Sequence, residues 1–275
     1  MAPSDIQVDR FGLTDRGKVR KINQDQFLIA SMHKLMQIEH TSLPNHTRDR
    51  LQSGAMAHLL LVADGVGGSA AGEEASGLAL EAVAYYVTTS MRCFYQLENG
   101  RESDLLDELE EAVRKSHAMV RSAAASSPEL RGMATTLTVV HVLWPRAYVV
   151  QVGDSRCYLY RDSALTQLTT DQTVAQGLVN EGVLSPDAAE HSPLSNVLSS
   201  AVGRDINPVT STVLLTPGDV LLLCTDGLTK HLSAKQIAEH LAAAESAESA
   251  CRALVAAALS AGGTDNVTTV VSRFF

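Results

Sequence analysis

The 275-residue chain has no excess of positive charge, no long uncharged apolar run and no closely paired cysteines. A net charge of -9 argues against nucleic acid or an anionic membrane as the main partner. No segment reaches the ~18 uncharged apolar residues of a spanning helix, since even residues 133–152 are cut by His141, Pro145 and Arg146. The opening MAPSDIQVDR lacks a basic start followed by an apolar stretch, so no secretory signal is expected. Cys93, Cys157, Cys224 and Cys251 form no CxxC pair. They read as reduced thiols, with Cys157 and Cys224 as small core residues. These absences together predict a soluble, cytoplasmic protein. The chain also lacks GxxxxGK[ST], which removes a P-loop, and its nine histidines fall in no HExxH or other ligand spacing. No Pro-, Gly- or Ser-rich linker and no repeat divides it, so one domain over residues 1–275 is expected.

What is present is enough apolar material for a large core, 45% of residues. Strand-like runs are expected at 26–30, 59–63, 135–143, 147–152, 157–160, 209–215, 220–224 and 266–272. Helical patterns cover about 70–90, 103–125, 171–181, 233–241 and 246–260, with Ser233 and Gln236 spaced as a capping box. Strands grouped with strands and long helices paired indicate an α+β layered fold rather than βαβ repeats. Residues 171–208, broken by Pro186, Pro193 and Pro208, read as a surface flap inserted between strands. Residues 31–57, with His40, Pro44 and His46, read as a second irregular excursion.

Two strand ends share one phrase. LLLVADG ends on Asp64 and LLLCTDG on Asp226. A single Asp-Gly is ordinary turn chemistry. Here, however, Asp25, Asp154 in GDSR and Asp265 in GGTDNV also stand at strand termini. Converging carboxylates would repel by roughly 1–4 kcal/mol per close pair. Such a cluster persists by protonation or by binding cations, and an all-oxygen donor set selects hard ions such as Mg²⁺ or Mn²⁺. Two ions about 4 Å apart can hold a bridging hydroxide and clamp a phosphoryl group. Arg20 would then receive the phosphate, because a guanidinium fork matches its oxygens. A dinucleotide site at Gly65-Val66-Gly67-Gly68-Ser69-Ala70 is the rival reading. It sets Asp64 against a pyrophosphate and lacks an acid-ended strand about 20 residues later.

The ordered set Arg20-x-x-x-Gln24-Asp25, Asp64-Gly65-x-Gly67-Gly68, Gly153-Asp154-Ser155-Arg156, Asp226-Gly227 and Asp265-Asn266 resembles the protein phosphatase 2C family, in its compact bacterial form. The segments RGMATTLTVV, SNVLSSAVG and PGDVLLLCTDGL fit the same pattern. The resemblance implies a four-layer α-β-β-α sandwich, with two packed antiparallel sheets flanked by helices. It also implies hydrolysis of phosphoserine and phosphothreonine in proteins, through Mn²⁺ or Mg²⁺. By the same resemblance Asp64 bridges two main ions, Asp226 and Asp265 ligate the first, and the Gly65 carbonyl ligates the second. Asp25 acts beside them partly through water, and Asp154 with Asp226 holds a third, weaker ion.

The chain departs from the family at Gln24, where many relatives have Glu, and at Val66, where eukaryotic members have His. It departs again at Asp171-Gln172-Thr173, where bacterial relatives often read Asp-His-Ser. No general acid for the leaving group is therefore identified. Expected partners are phosphorylated proteins, the targets of a Ser/Thr kinase, acted on by a monomer. The alternatives are a phosphoprotein-binding module without turnover and a phosphatase of small phosphomonoesters.

Overall fold

The computed structural model describes residues 6–33, 35–36, 51–52, 57–67, 69–91 and 102–275. Most of the 31–57 excursion, including His40, Pro44 and His46, lies outside these residues, as do Gly68 and Cys93. In chain order the strands are β1 (Val8–Asp15), β2 (Asp25–Met32), β3 (Leu35–Met36), β4 (Leu51–Gln52), β5 (Ala57–Val66), β6 (Ala134–Thr135) and β7 (Leu137–Leu143). They continue as β8 (Arg146–Val152), β9 (Arg156–Arg161), β10 (Ala164–Gln167), β11 (Val209–Leu214), β12 (Val220–Cys224) and β13 (Val267–Phe274). The helices are α1 (Ser69–Thr89), α2 (Glu102–Ser126), α3 (Val174–Asn180), α4 (Pro186–Glu190), α5 (Asp226–Thr229), α6 (Ala234–Ala243) and α7 (Ala247–Ser260).

Two antiparallel sheets form the centre. One runs β1-β13-β12-β9-β10, the other β11-β8-β7-β5-β2 with β6 beside β5. The unbroken apolar runs of the central strands follow from burial on both faces. In β5, Leu59, Leu61 and Ala63 pack toward α1 and α2, whereas Leu60 and Val62 face the other sheet. In β12, Leu222 and Cys224 pack toward α6 and α7, while Leu221 and Leu223 face the other sheet. Side chains alternate across a strand, so a strand buried on both faces needs apolar residues at every position. Leu105, Leu109, Val113 and Val120 form the buried stripe of α2 at helical spacing. The four-layer α-β-β-α architecture is therefore present.

The capping box at Ser233 and Gln236 is formed. Strand β1 was not expected from the sequence, because Asp9, Arg10 and Gly12 interrupt its apolar pattern. It pairs with β13 from Val8↔Phe274 to Asp15↔Val267. Gly12 is needed there because a Cβ would lie 2.3 Å from the Phe27 ring. The short, exposed β10 also escaped the periodicity test. Helix α3 starts at Val174, not Asp171, because Thr173 caps it from Gln176 N. Among the described residues no helix is long and apolar enough to cross a membrane.

Candidate active site

All five acids lie at one end of the sandwich, and each is delivered there by strand geometry. The antiparallel pairing of β2 with β5 sets Asp25 directly opposite Asp64. On the other sheet, β12 runs into Asp226 and β13 starts just after Asp265. Asp154 sits on the loop between β8 and β9, which passes from one sheet to the other. Asp25 ties the sheets together: its Oδ2 accepts hydrogen bonds from Thr225 Oγ1 at 2.8 Å and Thr268 Oγ1 at 2.7 Å. Asp64 is fixed through its backbone, its N–H donating to Thr136 Oγ1 at 2.9 Å and its carbonyl accepting from Thr136 N at 2.9 Å.

Close backbone approach explains two glycines. A Cβ on Gly65 would lie 2.1 Å from the Gly72 carbonyl of α1, and one on Gly227 would lie 1.8 Å from the Asn266 carbonyl. Asn266 also clamps the loop carrying Arg20. Its Nδ2 donates to the Arg16 and Ile22 carbonyls, and its Oδ1 accepts from Gln24 N at 2.9 Å. Gln24 contributes through its carbonyl, which accepts from Gly65 N at 3.1 Å and Ser76 Oγ at 2.6 Å.

The residues 171–173 that depart from the bacterial pattern fasten the following segment to the Asp154 loop. Gln172 Oε1 accepts from Gly153 N at 2.7 Å, and Gln172 N donates to the Gly153 carbonyl at 3.0 Å. Asp171 takes Arg156 Nε at 2.8 Å and Nη2 at 2.7 Å.

Electrostatically the cluster is strained. Burial, reinforced by Asp226 and Asp265 and opposed by the two threonine bonds, pushes the Asp25 carboxyl up to about 7. Burial, with Asp226 and Asp171 adding to it, raises Asp154 to about 7 as well. Asp64 is raised well above the carboxylate range, first by desolvation and then by Asp25, Asp226, Asp154 and Asp265. Burial also raises Asp226, against the pull of Lys230. Asp265 goes the other way. Burial raises it, but Arg20 and Lys230 outweigh that and leave it below its ordinary value.

These bonds are short. Arg20 Nε lies 2.7 Å from Asp265 Oδ1 and Nη2 2.9 Å from Oδ2. Lys230 Nζ lies 2.5 Å from Asp226 Oδ2 and 3.0 Å from Asp265 Oδ2. Lys230 was missed in the sequence, although its i,i+4 spacing from Asp226 was a usable signal.

A carboxyl with a raised folded-state pKa contributes stability that is complete below its unfolded value near 4 and is lost as pH rises through about 7. Asn mimics the protonated form at every pH. In chelator, Asp154→Asn should therefore melt above the wild type at pH 8, and the gain should fade at pH 5. An equal gain at both values would show that Asp154 is not a desolvated acid.

The donor chemistry fits a hard divalent cation. Asp25 Oδ1 and Asp226 Oδ1 are buried without a hydrogen-bond partner, which is costly unless a cation meets them. Among the described residues no three Asp, Glu, His or Cys side chains are already gathered around one point. Two of the five carboxylates are instead turned onto Lys230 and Arg20.

The model of protein phosphatase 2C matches residues 39–261, most of the chain and all of the acids except Asp25 and Asp265. The chain belongs to the protein phosphatase 2C family. Within that family it is 41% identical over 219 residues to the serine/threonine protein phosphatase PstP of Mycobacterium tuberculosis, covering 79% of this chain and 40% of PstP. The chain thus spans well under half the length of PstP. It is 31% identical to the protein phosphatase PhpP of Streptococcus pneumoniae, over 93% of each chain. The crystal structure of the PstP catalytic domain in complex with two manganese ions superimposes with a TM-score of 0.76 at 33% identity. That likeness covers 98% of this chain and 99% of the other. The family resemblance and the layered fold thus agree.

Proposed function

We propose that this chain is a protein serine/threonine phosphatase that uses two divalent cations, Mn²⁺ or Mg²⁺, to hydrolyse phosphoserine and phosphothreonine. The observation that carries this reading is the pair of buried, unpartnered oxygens on Asp25 and Asp226 within a five-carboxylate cluster. The names of PstP and PhpP support the substrate class. When bound, the ions supply an acidified water and a positive clamp for the phosphoryl oxygens.

The chain's residues do the rest. Asp64, rigid in its backbone, stands between the acids of both sheets and would hold both ions. Asp226 and Asp265 would hold the first ion and the Gly65 carbonyl the second. Asp25 is fixed on one oxygen by Thr225 and Thr268, so its other oxygen is aimed at the cluster. Asp154, with Asp226, would hold a third ion more weakly.

Arg20 is half-exposed at the mouth. It steers Asp265 through Nε and Nη2, and among the described residues its Nη1 hydrogens meet no protein acceptor. We assign those hydrogens to the substrate phosphate. Val66 has no proton to give the leaving Ser or Thr oxygen. The segment 171–208, tied to the Asp154 loop, would border the bound phosphoprotein as a flap. We also read the protein as a cytoplasmic monomer acting on targets of a Ser/Thr kinase. Its buried Cys157, Cys224 and Cys251 are free thiols, as a reducing compartment would keep them.

A phosphothreonine peptide tests the reading. Phosphate release should require added Mn²⁺ or Mg²⁺ and stop in EDTA, because every assigned ligand is a hard oxygen. Full release in chelator, or a requirement for zinc, would overturn it.

A further inference from the structure

We infer that Lys230 is a tethered cation that competes with a divalent ion for the Asp226–Asp265 pair and so sets how tightly the site holds metal. The inference rests on the metal-centre reading above. Four residues after Asp226, Lys230 projects from the same side of the turn, and its Nζ reaches Asp226 Oδ2 at 2.5 Å and Asp265 Oδ2 at 3.0 Å. The second contact separates it from an ordinary surface pair, because Asp265 lies on a different segment and already bonds Arg20. The side chain is 32% exposed, well below the 87% of Lys235 in its exposed i,i+4 pair with Glu239.

The ammonium therefore sits on oxygens that an ion would need. A divalent cation and an ammonium on the same two carboxylates repel each other at this range. Ion entry then requires Nζ to leave, and the four-carbon stem of lysine allows it to swing toward solvent. Until then Lys230 supplies positive charge to acids that would otherwise face one another. Arg20 acts on Asp226 only at a distance, since its bonds go to Asp265, whereas Lys230 touches both acids.

Calorimetric titration with Mn²⁺ and melting in chelator, on the full chain, test the inference with no assay of turnover. Lys230→Met keeps the length and removes the charge. It should bind Mn²⁺ about tenfold or more tighter than the wild type, a shift easily resolved in Kd. It should also melt lower in chelator, with the gap closing in saturating Mn²⁺. Lys230→Arg, which keeps the charge, should stay near the wild-type affinity. Should Lys230→Met not fold in chelator, Lys230→Gln is titrated and read by the same criterion. An unchanged or weaker Kd in the neutral variant overturns the competition. A wild type that takes up no Mn²⁺ overturns the metal centre itself, which keeps the two failures apart.

Discussion

Asp64→Asn should lower kcat on a phosphopeptide by about 100- to 10,000-fold in saturating Mn²⁺, because several kcal/mol of charge stabilisation vanish with the shared carboxylate. The substitution keeps shape and volume. The Asp64 backbone bonds to Thr136 do not involve the side chain, so the strand end stays in place. The Asp64 carboxyl is among the most crowded by like charge, so Asn should not lower the melting temperature in chelator. Turnover within tenfold of the wild type would remove Asp64 from the reaction. A large loss of both turnover and melting temperature would mean that the side chain is structural.

The second large effect is on folding. Gly227→Ala should destabilise by about 3 kcal/mol, the upper range for overpacking a filled site. For a chain of this size that is a fall in melting temperature of roughly 6–12 °C. The new Cβ would sit 1.8 Å from the Asn266 carbonyl, a backbone atom that cannot rotate aside. Asn266 also holds the Arg16 and Ile22 carbonyls, so a displacement there moves the Arg20 loop and the adjacent Asp265 together. Gly77→Ala is the matched control. Nothing lies within 4 Å of its Cβ position in α1, so it should stabilise by roughly 0.5–1 kcal/mol through helix propensity. Equal melting temperatures for the two variants would refute the packing account.

The acids were legible in the sequence because four of them follow a strong apolar run or an abrupt Gly-rich turn and Asp25 opens a strand. Their convergence did not follow from the residues themselves and was expected only through the family resemblance that the ordered motifs carry. Lys230 was passed over, because α5 is four residues long and leaves the i,i+4 spacing from Asp226 as a lone signal with no repeating pattern behind it. The threonines that hold Asp25 were hidden for a different reason. Thr225 and Thr268 lie 200 and 243 residues from it, and hydrogen bonds over such separations leave no periodic trace. Strand β1 was hidden by its own charges, which its edge position in the sheet tolerates. The departures at Asp171 and Gln172 looked like a weakened motif. In the fold they are the fastening of that segment to Gly153 and Arg156.

The cross-sheet bonds of Asp25 have a cellular consequence. Ligands drawn from both sheets exist as a set only when the whole sandwich is assembled, so ion binding stabilises the whole folded state. Mass action makes that contribution about 2.7 kcal/mol per ion at a hundredfold excess over Kd. Proteases attack opened chains in proportion to how often they open. In the proposed centre, manganese or magnesium supply would therefore govern how long each molecule survives as well as how fast it works. A cell short of the ion would lose the protein itself along with its activity.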